Sequence, residues 1–216
     1  MRQTNEIPLS AELVRKGIHL FALVIPAGYY LLPFSLALGV VALAAAVSIA
    51  IDLSRFRRWP LWSWVSKILT PIIREHEITG GFTGASYILT TSTFCILLFP
   101  TMVAIASIVF IIVGDIAAAL VGRVYGRHKL VANKSVEGSG ACLLSLVVVA
   151  FLIPELPLWA GLVGAVVATA AEAFSGRIDD NLAVPLASGA AMLALMYFSG
   201  YEHARLFDAL IAAING

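Results

Sequence analysis

The chemistry in this sequence is concentrated in a few charged side chains that stand where apolar residues are expected. Asp115 lies inside the apolar run 102–121, which breaks directly into a basic, glycine-punctuated stretch, 122–139. A charge at membrane depth costs roughly 2.5 to 3.5 kcal/mol on insertion scales, so it persists only with a partner or a task. Arg123, Arg127, His128, Lys129 and Lys134 follow as candidate partners. A carboxylate able to hold a divalent cation, beside cations able to hold phosphate, is the minimal equipment for phosphoryl chemistry.

Three further groups of side chains belong to the same problem. Glu172 sits in an apolar run and is followed by Arg177, Asp179, Asp180 and Asn181. These hard oxygen donors suit Mg²⁺, which binds through one or two carboxylates and keeps other positions for water or substrate phosphate. Helix capping explains Asp180 and Asn181 equally well, but not Glu172. Arg15 and His19, four residues apart with Lys16 between them, share a helix face near the start of the first apolar run. Arginine and lysine snorkel routinely at such a place, whereas His19 sits roughly 6 Å deeper and is a candidate ligand for phosphate or a lipid headgroup. The loop with Gly126, Arg127, His128, Lys129, Asn133, Lys134, Ser135, Glu137, Gly138 and Ser139 combines glycines, whose N–H groups can approach an anion, with mobile cations. It is not a P-loop, since only the Lys134–Ser135 pair of that pattern is present.

The elements that must position these groups are membrane spans. With 60% hydrophobic and 12% charged residues the chain does not fit a water-soluble domain. Seven apolar runs approach the roughly 20 residues that cross a bilayer, at about 13–32, 34–53, 79–99, 101–121, 137–154, 157–175 and 182–200. The expected fold is therefore an all-α, polytopic helical bundle forming one membrane-embedded domain over 1–216. Gly114, Ala118, Gly122 and Gly126 recur every four residues beside Asp115, a small-residue stripe that lets another helix approach closely. Of the fourteen basic residues only Arg205 falls on one side of this topology, so the other side, with the N-terminus and the charged loops, is expected to be cytoplasmic. The segment 55–77 carries Trp62, Val65, Leu69 and Ile72 at helical spacing with Arg55, Arg57 and Arg58, and reads as an interfacial amphipathic helix. A second such helix is expected at 201–214. The N-terminal residues do not resemble a cleaved signal. Cys95 and Cys142 lie in apolar spans and read as small buried hydrophobes.

At these residues the chain resembles the polyprenol kinase family, which groups dolichol kinases, phytol kinases and the yeast-type CTP-dependent diacylglycerol kinase. The resemblance is carried by RKGIHL (15–20), FTGASYIL (82–89), GDIAAALVGRVYGRHKL (114–130), NKSVEGS (133–139) and AEAFSGRIDDNLAVPL (171–186), in order over about 11–200. It implies Mg²⁺-assisted transfer of a phosphoryl group, commonly from CTP, to the hydroxyl of a membrane lipid alcohol: polyprenol, phytol or diacylglycerol. In that scheme Asp115, Glu172, Asp179 and Asp180 hold the metal or position the nucleophile, with Lys134 at the reacting phosphate. Arg123, Arg127, Lys129, Lys134, Ser135, Glu137, Gly138 and Ser139 surround the nucleotide, and Arg15, His19, Thr83, Ser86 and Asn181 meet the lipid substrate. The partners expected are a nucleotide, a lipid and the bilayer, and no nucleic acid.

Two other functions fit parts of the pattern. Phosphatidate cytidylyltransferase also uses CTP, Mg²⁺ and a membrane lipid, but its long signature is missing, and Arg177 with Asp180 is only a partial echo. A transporter would carry ions or protons on its intramembrane acids. The polar groups here gather at one face rather than marking a path across.

Overall fold

The computed structural model describes residues 16–60, 62, 81–131, 134–175 and 178–201. The expectations for Arg15, Asn133 and Arg177, most of the interfacial helix at 55–77 and nearly all of that at 201–214 therefore lie outside the described residues.

Seven helices bounded within the described residues form the bundle: α1 (Val24–Leu31), α2 (Phe34–Phe56), α3 (Gly84–Leu98), α4 (Thr101–Tyr125), α5 (Val136–Leu152), α6 (Leu158–Phe174) and α7 (Asp180–Phe198). They correspond one to one with the seven expected spans, so the chain is an all-α membrane bundle. No β-ladder occurs among the described residues beyond one isolated bridge, Lys129 to Ser135. Helices α2, α4 and α7 are long and apolar enough to cross a membrane, while α3, α5 and α6 are shorter apolar helices of 15, 17 and 17 residues. At 1.5 Å per residue these reach about 22 to 26 Å, so their capping residues and loops complete the passage.

Three boundaries differ from the sequence expectation, each for a local reason. The first span is not one helix: residues 16–21 are helical, the backbone breaks at Ala22 and Leu23, and α1 begins at Val24. Pro26 has no N–H to give the carbonyl of Ala22, and its ring would clash there. The chain adapts with tight turns in which Ala22 N–H donates to His19, Leu23 to Leu20 and Ile25 to Ala22. The third span starts later than 79, at Gly84, because the Thr83 side chain caps it by accepting from Ser86 N–H. The fourth continues past 121 to Tyr125, so Asp115, Ala119 and Arg123 ride on one uninterrupted helix.

Helix α4 is the axle of the bundle. Val103, Ala104, Ile105, Ala106, Ile108, Phe110, Ile111 and Ile112 are all buried, and a helix apolar and buried around its circumference belongs in the interior. The outer helices instead expose Phe21, Leu31, Leu43, Leu144 and Phe198, a surface suited to lipid rather than water. Helix α4 packs most extensively on α5. There the small-residue stripe is used as expected: a Cβ on Gly114 would meet Cys142 Sγ at 2.9 Å, and one on Gly138 would meet the Ala118 carbonyl at 2.8 Å. Two buried hydroxyls are satisfied within their own helices, Ser107 on α4 donating to the Val103 carbonyl and Ser188 on α7 to that of Val184. The short turns alternate with the charged connections, so the described residues 57–60 and 81–83, 126–131 with 134–135, and 175 with 178–179 gather at one end of the bundle.

Candidate active site

At that end, four elements bring their ionisable side chains together inside the bundle. Helix α4 supplies Asp115, the helical segment 16–21 before α1 supplies Lys16 and His19, the loop before α5 supplies Lys134, and the α6–α7 junction supplies Glu172 and Asp180. Lys16 Nζ donates to Asp115 Oδ2 at 2.5 Å and approaches the Asp115 carbonyl at 3.3 Å. His19 Nε2 lies 3.6 Å from the same carboxylate oxygen and has no hydrogen-bond partner. Lys134 Nζ donates to Glu172 Oε1 and stands 3.6 Å from Asp180 Oδ2. The charges of Asp115 and Lys134 act on one another, which joins the two halves into one cluster.

The cluster is buried enough for these charges to matter. Glu172 is 2% exposed, whereas Lys134 keeps 33% of its side chain accessible. Burial alone would lower the pKa of the Lys134 ammonium, but the hydrogen bond and charge of Glu172, then the charges of Asp180 and Asp115, raise it above its ordinary value. Lys134 therefore stays an ammonium at physiological pH. Glu172 Oε2 and Ser139 Oγ are buried without a hydrogen-bond partner. Buried polar atoms are nearly always paired, so Glu172 Oε2 leaves the cluster with an acceptor open to a further partner.

The loop between α4 and α5 is built to present Lys134. Leu130 N–H donates to the Lys134 carbonyl, Lys134 N–H to Val131 and Val136 N–H to His128, which closes the loop on itself. His128 Nδ1 lies 2.6 Å from Glu137 Oε1 and clamps the two ends. Ser135 caps α5 by accepting from Gly138 N–H at 3.2 Å, and Gly138 is packed against α4. Glu137, Ser135 and Gly138, expected around a nucleotide, are thus engaged in shaping the loop. Arg123, Arg127 and Lys129 are exposed around it.

Other expected residues fall elsewhere. Asp179 caps α7, accepting from Asn181 N–H at 2.9 Å and from Asn181 Nδ2 at 2.8 Å, so both are engaged at the helix start, while Asp180 alone of the pair reaches Lys134. Thr83 and Ser86 are not in contact with the Asp115 cluster. They belong to a second buried network, in which Asp52 Oδ2 accepts from Thr83 N–H, Thr83 Oγ1 and Ser86 Oγ at 2.9, 3.0 and 2.6 Å. Arg55 Nη2 completes it, 3.0 Å from Asp52 Oδ1 and donating to the Gly81 carbonyl. Sequence reasoning missed Asp52, although an acid three residues before an arginine at the end of an apolar run was a signal. It also passed over Lys16 in favour of Arg15 and His19. Among the described residues no three His, Cys, Asp or Glu side chains converge as a preformed metal centre.

Comparison with known proteins adds a distant similarity. An uncharacterized protein of Rickettsia prowazekii (strain Madrid E) is 29% identical over 184 residues, covering 81% of this chain and 90% of that protein. The CTP-dependent diacylglycerol kinase 1 of Schizosaccharomyces pombe is 24% identical over 209 residues, covering 86% of this chain and 94% of the kinase. No family model matches the chain, and no solved structure does. The chain is thus distantly similar to a diacylglycerol kinase along most of its length.

Proposed function

We propose that this chain is a lipid-alcohol kinase of the membrane, transferring the γ-phosphoryl group of a nucleoside triphosphate to the hydroxyl of a lipid. The lipid oxygen forms the new bond to phosphorus, the bond from phosphorus to the β–γ bridging oxygen breaks, and the hydroxyl proton is released. The products are a lipid phosphate and a nucleoside diphosphate. The observation that carries this reading is the cluster in which Lys16 and Lys134 are held on Asp115, Glu172 and Asp180, with Glu172 Oε2 left without a partner.

The roles follow from charge and position. Two ammonium groups against three carboxylates leave the cluster one negative charge in excess. Such a site disfavours a bare triphosphate and suits one that arrives with a divalent cation. Glu172 and Asp180, which share Lys134, or Asp115 on Lys16, are the one or two carboxylates that would hold Mg²⁺, whose contribution when bound is to neutralise charge on the phosphate oxygens. Lys134, the more accessible cation, turns from Glu172 toward phosphate, while Lys16 fixes the Asp115 carboxylate. Arg123, Arg127 and Lys129 line the approach. CTP is the expected donor because the similar kinase is named for it. The concentration of basic residues at this end supports a cytoplasmic site. Polyprenol, phytol and diacylglycerol all offer a hydroxyl at headgroup level, so each is a candidate acceptor.

The test is incubation of the purified protein in detergent with Mg²⁺, γ-labelled CTP or ATP, and a panel of lipid alcohols alongside phosphatidate. Label on a lipid alcohol is the expected result and names the acceptor. Pyrophosphate release with a CDP-lipid product would make the protein a cytidylyltransferase. No turnover with any pair would favour transport.

A further inference from the structure

An apolar groove of about 440 Å³ runs along the seam between α1, α4 and the end of α5. Leu23, Ala27 and Tyr30 form one wall, Met102 and Val109 another, and Ile153 closes it. Its near edge and the charged cluster are built on the same two elements. Val109 is six residues before Asp115 on α4, about 9 Å along the axis, and Met102 is thirteen before it, about 20 Å. On the other wall Leu23 lies four residues beyond His19, at the backbone break that Pro26 imposes. The seam therefore has a charged end, where Lys16 and His19 meet Asp115, and a hydrocarbon end. That is the distribution of a lipid alcohol itself.

Resting on the kinase reading, we propose that this groove seats the apolar tail of the acceptor lipid while its hydroxyl lies at Asp115. Its lining on α4 lies about 9 to 20 Å along the axis from Asp115, so it selects tails long enough to reach that far. With C–C bonds of about 1.5 Å in a zigzag, a chain of about seven carbons only reaches Val109, and one of about sixteen reaches Met102. Acceptor efficiency should climb between these lengths and level off beyond them.

The experiment uses the full chain in detergent with a primary alcohol of about sixteen carbons carrying a diazirine at its terminal carbon. After photolysis, the labelled peptides are mapped, with and without an excess of unlabelled alcohol of the same length. Labelling within 23–30, 102–109 or 152–154 that the unlabelled alcohol displaces at least fivefold is the expected result, and it stands even if no phosphoryl transfer is found. Equal labelling by a diazirine alkane lacking the hydroxyl, undisplaced by alcohol, would mean that bilayer lipid fills the groove and would overturn the proposal. Labelling confined to other segments would overturn it as well. Ala27→Trp should reduce groove labelling several-fold, and Leu144→Trp, on a lipid-facing part of α5, should leave it unchanged. In an active preparation Ala27→Trp should raise KM about tenfold more for the long alcohol than for one of about eight carbons.

Discussion

Two buried carboxylates at the same end of the bundle, Asp52 and Asp115, are each paired with a basic side chain, yet their surroundings differ in one respect. Around Asp52 both carboxylate oxygens are engaged: Oδ2 takes three donors from the start of α3 and Oδ1 takes Arg55. What is left over there is on the cation: Arg55 Nε and Nη1 have no hydrogen-bond partner, and the rings of Phe56 and Trp62 cover the guanidinium, with centroids 5.0 and 5.8 Å from it. In the Asp115 cluster a carboxylate oxygen itself is left over, Glu172 Oε2, together with His19 Nε2. Burying charge is tolerable when every lone pair and proton is satisfied, and it is costly otherwise. The first network, its carboxylate fully engaged, holds α2 to α3, while the second keeps an acceptor oxygen, Glu172 Oε2, open to a further partner.

The comparison is broken most readily at Asp115. Asp115→Asn is expected to lower turnover about 10³-fold, because a group that neutralises developing charge is typically worth that much. The protein should stay inserted, since removing an intramembrane charge eases insertion and the backbone carbonyl at this position remains for Lys16. Labelled lipid product and a thermal melt on the same sample measure both. Normal turnover by the folded variant would remove Asp115 from the mechanism. The reverse is expected of Asp52→Asn, which leaves Arg55 buried without its counter-charge and should cost about 3 kcal/mol of stability. Turnover per folded molecule should fall less than fivefold. A stable but inactive Asp52→Asn protein would show that the two networks are not divided between structure and chemistry.

Lys134 sharpens the contrast because it touches both roles of the cluster. Lys134→Ala should raise KM for the nucleotide about thirty-fold, some 2 kcal/mol, as expected for a lost hydrogen bond to a charged group. It also strips Glu172 of its cation. Pairing it with Glu172→Gln therefore separates the effects: stability should recover in the double variant while nucleotide KM does not. Recovery of both would mean that Lys134 only balances Glu172.

How far these residues could be read from the sequence depended on the range over which each one acts. The spans were legible because membrane insertion is dictated by long apolar runs, and the α4–α5 contact by a four-residue period of small side chains. Glu172 and Asp180 stood out because nearby residues offered no partner or only a cap. The break at Ala22 was legible in principle from Pro26, but a continuous apolar pattern concealed it. Lys16 looked like any snorkelling lysine, since its partner is 99 residues away. Asp52 was overlooked for the same reason: its acceptor role is defined by Thr83 and Ser86 across 31 and 34 residues. Thr83 and Ser86 were expected at the lipid substrate, and the structure finds both on Asp52.

Ser135 gives the smallest and most discriminating effect. Its hydroxyl accepts from Gly138 N–H at the start of α5, and it is one residue from Lys134, so a cap and a phosphate contact are both chemically available to it. Ser135→Ala should cost about 1 kcal/mol, the usual loss of an N-cap. Ser135→Asn supplies a capping oxygen without a hydroxyl, and it should restore most of that stability if the larger amide is accommodated against Gly122 and Gly126. If capping is the whole role, nucleotide KM in the Asn variant returns to within about twofold of the starting protein along with the melting temperature, a difference under about 0.5 kcal/mol. A stable Asn variant with KM still raised would add the Ser135 hydroxyl to the ligand-binding side of the comparison. It would also make the α5 N-terminus part of the phosphate site rather than only its support.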